Sequence, residues 1–289
     1  MNNAWMDPEL AALTTNARWR VQDIDFSAVD ADTLLQDPAM VWLATAYSFV
    51  ESASDIYTKN LLQYFSNDAA ISRWLTQQWK PEELQHGRAL RAYAEAAWPE
   101  FDWPAAYDGF LQDYAPLCQV EVLGPTWALE LASCCVIETA TSTLYRAVRD
   151  ATTDPVLREI ADNIQRDETR HFKYFFYFFR QNKIVSGTSR WAIAKLLTAR
   201  ASEIRDSDTI CALRHIRDGL VGANSHKAQQ LPDAAVINRL ITTRLRPHYP
   251  LNAAIKMLLA PMTLPAPARK LTGGIISVAA RTRVAWSLL

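Results

Sequence analysis

The stretch WKPEELQHG, Trp79 to Gly87, decides how this chain is read. Pro81 suits the first turn of a helix, and the two glutamates that follow suit its positive end. The stretch therefore begins or renews a helix. Glu83 and His86 are three positions apart, so they share one helical face. A carboxylate and an imidazole offered to the same space make half of a metal site.

A second stretch repeats the pattern. RDETRHF, Arg166 to Phe172, carries Glu168 and His171 at the same spacing. With twelve Glu and five His in 289 residues, chance gives about 0.2 such pairs, and two are present.

The helices that carry these pairs follow from the punctuation around them. A long helix is expected from about Pro38 to Phe65, then a turn at Ser66 to Asp68 with Asp68 as cap. A second runs from Ala69 to about Trp98, with Pro81 inside it as a source of a kink or restart. A shorter helix covers Ala105 to Tyr114, and a third long one runs from after Gly124-Pro125 to about Asp150. Thr153 or Asp154 caps a fourth, which continues to about Asn182. Residues 1–35 read as irregular with short helical pieces. Shorter helices follow the linker Lys183 to Ser189, and no strand-like alternation occurs.

Depth along these hairpins adds two more carboxylates. Glu51 lies 16 residues before Asn67 and Glu83 lies 16 after it; Glu138 lies 15 before Thr153 and Glu168 lies 15 after it. At the helical rise, all four sit about 20–25 Å from their turns. Packed as a four-helix bundle, they meet in one layer. A Glu from each of two helices plus Glu-x-x-His from each of two others is the ligand set of ferritin-like dinuclear carboxylate proteins. Four carboxylates balance two divalent ions, and oxygen and imidazole donors suit iron or manganese. The neighbours in sequence are largely apolar: Cys134 and Cys135, Leu90, Ile164, Phe172 and Phe175, with Thr141 and Ser142 beside Glu138. An ionised Glu among them is costly unless paired or bound to metal.

Composition agrees with a helical protein of one large domain or two: 49% hydrophobic residues and only 8 glycines. With a net charge of −1 the chain as a whole is no obvious polyanion binder, and no nucleic-acid partner is expected. Charge is uneven, however. From Ala234 onward the chain carries Arg239, Arg244, Arg246, Lys256, Arg269, Lys270, Arg281 and Arg283, and no Asp or Glu. That segment either meets an acidic partner or a lipid surface, or offsets the acidic remainder. Cys118, Cys134, Cys135 and Cys211 show no metal-type C-x-x-C pair and read as buried thiols in a reducing compartment. No basic-then-apolar leader and no membrane-length apolar run appear, so a cytoplasmic location is expected.

These residues resemble the soluble acyl-carrier-protein desaturases, within the ferritin-like di-iron group. The second metal helix of that family shows Trp, then Glu-Glu-x-x-His-Gly, Leu and Tyr, matched by Trp79, Glu82, Glu83, His86, Gly87, Leu90 and Tyr93. Its fourth shows Asp-Glu-x-Arg-His, matched by Asp167, Glu168, Arg170 and His171. Its third, Glu-x-Ala-Thr, is matched by Glu138, Ala140 and Thr141, and its first by Glu51 with Tyr57. The match spans roughly residues 41–179. It implies an all-α, ferritin-like four-helix bundle at 1–185 with additional C-terminal helices at 186–289 packed on it. It implies two Fe ions, with Mn possible: Glu51 and His86 on one, Glu138 and His171 on the other, Glu83 and Glu168 bridging. Glu82 and Asp167 would hold the ligand histidines, and Thr141 would sit near the dioxygen position. Trp19 or Trp42 would join Asp167 as an electron route. Leu90 stands where ribonucleotide reductase small subunits carry a radical tyrosine, which weighs against that activity.

The implied function is an O2-dependent desaturation or hydroxylation of an acyl chain on acyl carrier protein. An external donor such as ferredoxin would supply electrons, and the chain would work as a homodimer. The aromatic run Phe172 to Phe179 is read mostly as core and dimer contact, with a share in an acyl tunnel as the alternative. Competing readings are a di-iron oxygenase or N-oxygenase on an amine or aryl substrate, a ferroxidase or iron store, and a metal-free bundle. The hundred or so residues beyond the bundle argue against a storage cage.

Overall fold

The structure, a computed structural model, describes residues 19–34, 38–203, 207–223 and 231–282. Expectations for residues 1–18 and for Arg283 fall outside these. Every regular element among the described residues is helical. Residues 19–34 form two 3-10 turns and one helical turn, Ala31–Leu34.

The first bundle rod is α1, Ala39–Ser52, followed by α2, Ser54–Tyr64. The sequence predicts a single helix here; the structure breaks it at Ala53, one residue past the end of α1. No Pro or Gly marks the break. Instead Thr45, Ser48 and Thr58 donate their hydroxyls to backbone carbonyls three or four residues back, a habit that bends helices. Asp68 then caps α3, Ala69–Trp74, by accepting from the amides of Ala70 and Ile71.

The next rod continues through a π-helical turn, Leu75–Trp79, into α4, Lys80–Ala97. Pro81 sits in the first turn of α4 and cannot donate to the carbonyl four residues back. The wider turn just before it moves the hydrogen-bond register and keeps the rod continuous, so Pro81 neither ends nor restarts the helix. After α5, Trp103–Tyr114, come α6, Trp127–Ala151, and α7, Pro155–Ser186. Of the two candidate caps for α7, Asp154 serves, accepting from the Leu157 amide. Gly187 ends it at φ 63°, a left-handed cap that favours glycine.

Helices α1 and α4 pack as one antiparallel pair, α6 and α7 as another, and α4 lies on α7 to close the bundle. The remaining helices are α8, Arg190–Glu203, α9, Ser207–Ala223, α10, Ala234–Leu245, α11, Leu251–Leu258, and α12, Ala266–Thr282. Helices α8 and α11 lie on α6, while α9 lies on α5 and α1.

The buried apolar residues form two clusters. One holds α1 with Ala53 just past its end, α4 from Ala89, α6 from Leu144 and α7 up to Ile164. The other holds α2 from Leu61, α3 and the π-helical turn through Trp79, α6 up to Val136 and α7 from Phe172. Each of the four rods therefore passes from one apolar cluster to the other across a short gap. Glu51 falls at the edge of that gap; Glu83, His86, Glu138, Glu168 and His171 fall inside it. The carboxylate layer divides the core.

Candidate metal centre

Six side chains converge in that gap, all buried: Glu51 4%, Glu83 6%, His86 0%, Glu138 2%, Glu168 2% and His171 0% exposed. They form two overlapping four-residue groups. Glu51, Glu83, His86 and Glu168 make one, and Glu83, Glu138, Glu168 and His171 make the other; within each, the candidate ligand atoms lie within 4.8 Å of one another. Glu83 and Glu168 belong to both, the position a bridging carboxylate requires.

Geometry at the histidines gives both rings one orientation. His86 Nε2 faces Asp167 Oδ2 at 3.2 Å, and His171 Nε2 faces Glu82 Oε2 at 2.8 Å. An Nε2–H donated outward leaves Nδ1 as the inward lone pair. His86 Nδ1 lies 3.1 Å from Glu168 Oε1 and 3.8 Å from Glu51 Oε2. His171 Nδ1 lies 3.0 Å from Glu83 Oε1 and 3.6 Å from Glu138 Oε2. Yet both Nδ1 atoms, Glu83 Oε1, Glu138 Oε2 and Glu168 Oε1 have no aligned hydrogen bond. These atoms are close without aiming at one another; they aim at the space between. Buried polar atoms are rarely left so, and five of them around one space fit divalent cations.

The outer oxygens are held. Thr141 Oγ1 donates to Glu168 Oε2 at 2.6 Å, and Trp79 Nε1 donates to Glu138 Oε1 at 3.1 Å. The Tyr145 hydroxyl donates to Glu51 Oε1. Arg170 donates to both Glu82 and Asp167, at 2.9 and 2.6 Å. The sequence left Trp19 and Trp42 as alternatives beside Asp167. The structure places Trp19 there: its Nε1 donates to Asp167 Oδ2 at 2.8 Å and its ring lies parallel to His86. Trp42 packs edge-on against Trp98 in the core instead.

Trp79 and Arg170 stand in the motifs of the metal helices without a contact to name, and Tyr145 stands outside them. Their spacing offered a signal: Tyr145 follows Glu138 by seven, Trp79 precedes Glu83 by four, and Arg170 follows Asp167 by three, each on a shared face.

Without metal, the layer holds protons instead. Burial, then the charge of Glu168, pushes Glu83 up to about 8. Burial and Glu168 likewise raise Glu138 well above the usual carboxylate range. Burial opposes charge on His86, but Asp167, Glu168 and Glu51 outweigh it and raise its pKa well above normal. His171 is raised the same way, by Glu138, Glu82 and Glu83 against burial. Glu168 goes the other way, to about 2, because His86 overcomes its burial. A site this acidic and this dry demands positive charge.

A cavity of about 350 Å³ adjoins Glu51, Glu83, Glu138 and Glu168. Val50, Leu123, Ile137 and the rings of Tyr47, Tyr57 and Tyr114 line it, with Arg200 of α8 and Asp208 of α9. Exposed Leu117 and Gln119 mark its open end. The aromatic run Phe172 to Phe179 does not line this cavity. Phe172, Tyr174, Phe175, Phe178 and Phe179 are buried in the second apolar cluster, so they serve as core and line no acyl tunnel here.

One further group of possible ligands lies outside the bundle interior, at Asp113, Cys211 and His215. There His215 Nε2 faces Asp113 at 2.9 Å and Arg214 bonds the Cys211 thiol, so the groups already satisfy one another.

No protein-family model and no curated protein matches this sequence. Solved structures do. One R2-like ligand-binding oxidase variant with a Mn/Fe cofactor superposes with TM-score 0.54 at 11% identity, over 85% of this chain and 93% of that one. Another, with an Fe/Fe cofactor, gives 0.53 at 12% identity over the same shares. A third, with Mn/Fe, gives 0.52 at 12% identity over the same shares. The likeness establishes the fold, an all-α ferritin-like bundle.

Proposed function

We propose that the chain is a dinuclear metal oxidoreductase that uses dioxygen to oxidise an unactivated C–H bond of an acyl chain. The observation that supports this most strongly is the set of five buried atoms around the histidines that face one another without an aligned hydrogen bond. Glu51, His86, Glu138 and His171 would each hold one of two ions, with Glu83 and Glu168 shared. Two iron ions suit the donors, and the superposing oxidases carry Fe/Fe or Mn/Fe pairs. When bound, the metal pair supplies the oxidising power that no amino-acid side chain provides.

The chain's own residues do the rest. Glu82 and Asp167 keep each imidazole in the tautomer with Nδ1 inward, and Arg170 balances their charge. Thr141 and Tyr145 fix the carboxylates that face the cavity. The apolar side chains on either side of the layer exclude bulk water. Trp19, Asp167 and His86 form a line from the N-terminal segment to the layer, suited to passing electrons inward.

The mostly apolar lining of the cavity favours an acyl chain, here carried on acyl carrier protein. Desaturation would convert CH2–CH2, O2, two electrons and two protons into CH=CH and two waters. A one-electron donor such as ferredoxin would supply the electrons, and the working form would be a homodimer. Arg200, Asp208 and Asn60 in the same lining favour a second reading, oxygen insertion into a smaller polar substrate.

Anaerobic loading with Fe(II) should give two ions per chain. Glu138→Ala and His171→Ala should each lose metal and oxygen consumption while the helical circular dichroism remains. With acyl carrier protein substrates and a reductant, mass spectrometry should show loss of two hydrogens. Gain of one oxygen on a polar substrate would select the second reading. Retained turnover in either variant would contradict the assignment.

A further inference from the structure

Large apolar side chains stand exposed at the corner where α7 ends and α8 begins: Ile184 80%, Val185 89% and Trp191 85%. Exposures this high describe side chains that project, not ones that line a groove. Helix α12 starts beside the same corner. Lys183 Nζ donates to Thr263 Oγ1 at 2.8 Å and Arg190 donates to the Thr263 carbonyl at 3.4 Å, three residues before α12. The outer face of α12 carries Leu271 68%, Ile275 63% and Val278 63% exposed, at spacings of four and three. Single exposed apolar residues need no explanation; a projecting cluster with an adjoining helical stripe marks a surface that something covers.

Charge says what covers it. Between Phe172 and Glu203 the chain has Lys173, Arg180, Lys183, Arg190, Lys195 and Arg200 and no acidic residue. From Ala234 onward it has none either. Both segments that build the corner are therefore basic throughout. A second copy meeting this face symmetrically would set like charges together, which is costly. The fitting partner is anionic and apolar at once. A lipid surface with anionic headgroups has that combination: basic side chains meet the phosphates while aromatic and aliphatic tips enter the acyl layer.

We propose that the Ile184–Val185–Trp191 corner and the outer face of α12 dock this protein on an anionic lipid surface. Lys183, Arg190, Arg269 and Lys270 contact the headgroups, and the apolar side chains insert. Helix α8 then links membrane to cavity, because Trp191 stands in its first turn and Arg200 lines the cavity about 14 Å further along. Docking does not depend on the oxidase reading, and metal content reports on that reading separately.

Co-sedimentation of the metal-loaded full chain with vesicles tests this. The chain should pellet with phosphatidylcholine vesicles containing phosphatidylglycerol, not with phosphatidylcholine alone, and added salt should release it. Val185→Ser with Trp191→Ser, and separately Arg269→Glu with Lys270→Glu, should weaken binding by about tenfold or more. All four residues are exposed, so metal content and circular dichroism should stay as in the parent. Equal partition to both vesicle types, no binding to either, or variants that bind like the parent would overturn the proposal. So would a dimer that Val185→Ser and Trp191→Ser convert to monomer without any vesicle binding, or binding to acidic acyl carrier protein in place of vesicles.

Discussion

Glu83 is one of four buried groups in the carboxylate layer whose raised pKa governs pH behaviour. Its carboxyl sits at about 8 against an ordinary 4.5, through burial first and Glu168 second. Glu138, His86 and His171 move the same way. The folded, metal-free chain therefore binds protons that the unfolded chain releases on the way up from about 4.5, and its stability falls as pH rises through about 8. Glu168 and Asp167 contribute with the opposite sign, but their loss comes only at strongly acidic pH. Urea midpoints of the metal-free chain should thus decline between mildly acidic and mildly alkaline pH, while metal affinity rises over the same range because cations replace protons. A metal-free chain that grows more stable with pH would refute this charge assignment. At this scale the sequence was informative where a rule of spacing applies. Glu-x-x-His is such a rule. Asp167 contacting Trp19 across 148 residues is not, and no local pattern chooses Trp19 over Trp42.

Among the elements, the close crossing of α1 and α4 is the most sensitive. A Cβ added to Gly87 would lie 2.5 Å from Ser52 Oγ and 2.8 Å from the Ser52 amide nitrogen. Ser52 adjoins Glu51 and Gly87 adjoins His86, so this contact sets the distance between two side chains of the carboxylate layer. Gly87→Ala should cost about 1–3 kcal/mol of stability by overpacking, read from chemical denaturation, and should also lower metal occupancy. Unchanged stability and occupancy would show that the rods can move apart freely. The sequence placed Gly87 in a motif without a reason; the backbone approach supplies it. The break at Ala53 was not legible, because hydroxyl back-bonding within α1 and α2 acts through ordinary helix-compatible residues. The π-helical turn before Pro81 was half legible: the proline announced a disturbance, and the packed bundle decided that the rod stays continuous.

For the whole molecule, the C-terminal helices are part of the core. Ile193 and Leu197 of α8 enter one apolar cluster, and Leu213, Ile216, Ile237, Ile241 and Leu245 enter the other. At about 1.5–3 kcal/mol for each buried side chain, their removal equals or exceeds the usual net stability of about 5–15 kcal/mol. A chain ending at Ser186 should therefore fail to unfold cooperatively and should aggregate, as judged by thermal melts and gel filtration. A soluble, cooperative chain of that length holding two metal ions would show the bundle to be self-sufficient. No helix among the described residues is long and apolar enough to cross a membrane.

The sequence by itself determined the helical class, the antiparallel pairing of the four rods and the common depth of four glutamates and two histidines. Those follow from properties each helix carries alone: a rise per residue, a repeat that puts every third or fourth side chain on one face, and turns marked by capping residues. Only the tertiary structure decided which aromatic side chains hold the carboxylates, which tryptophan reaches Asp167, and that α8 and α9 complete the cavity. Such contacts join residues far apart in the chain. Their selection depends on how whole faces pack against one another, for which no local spacing exists.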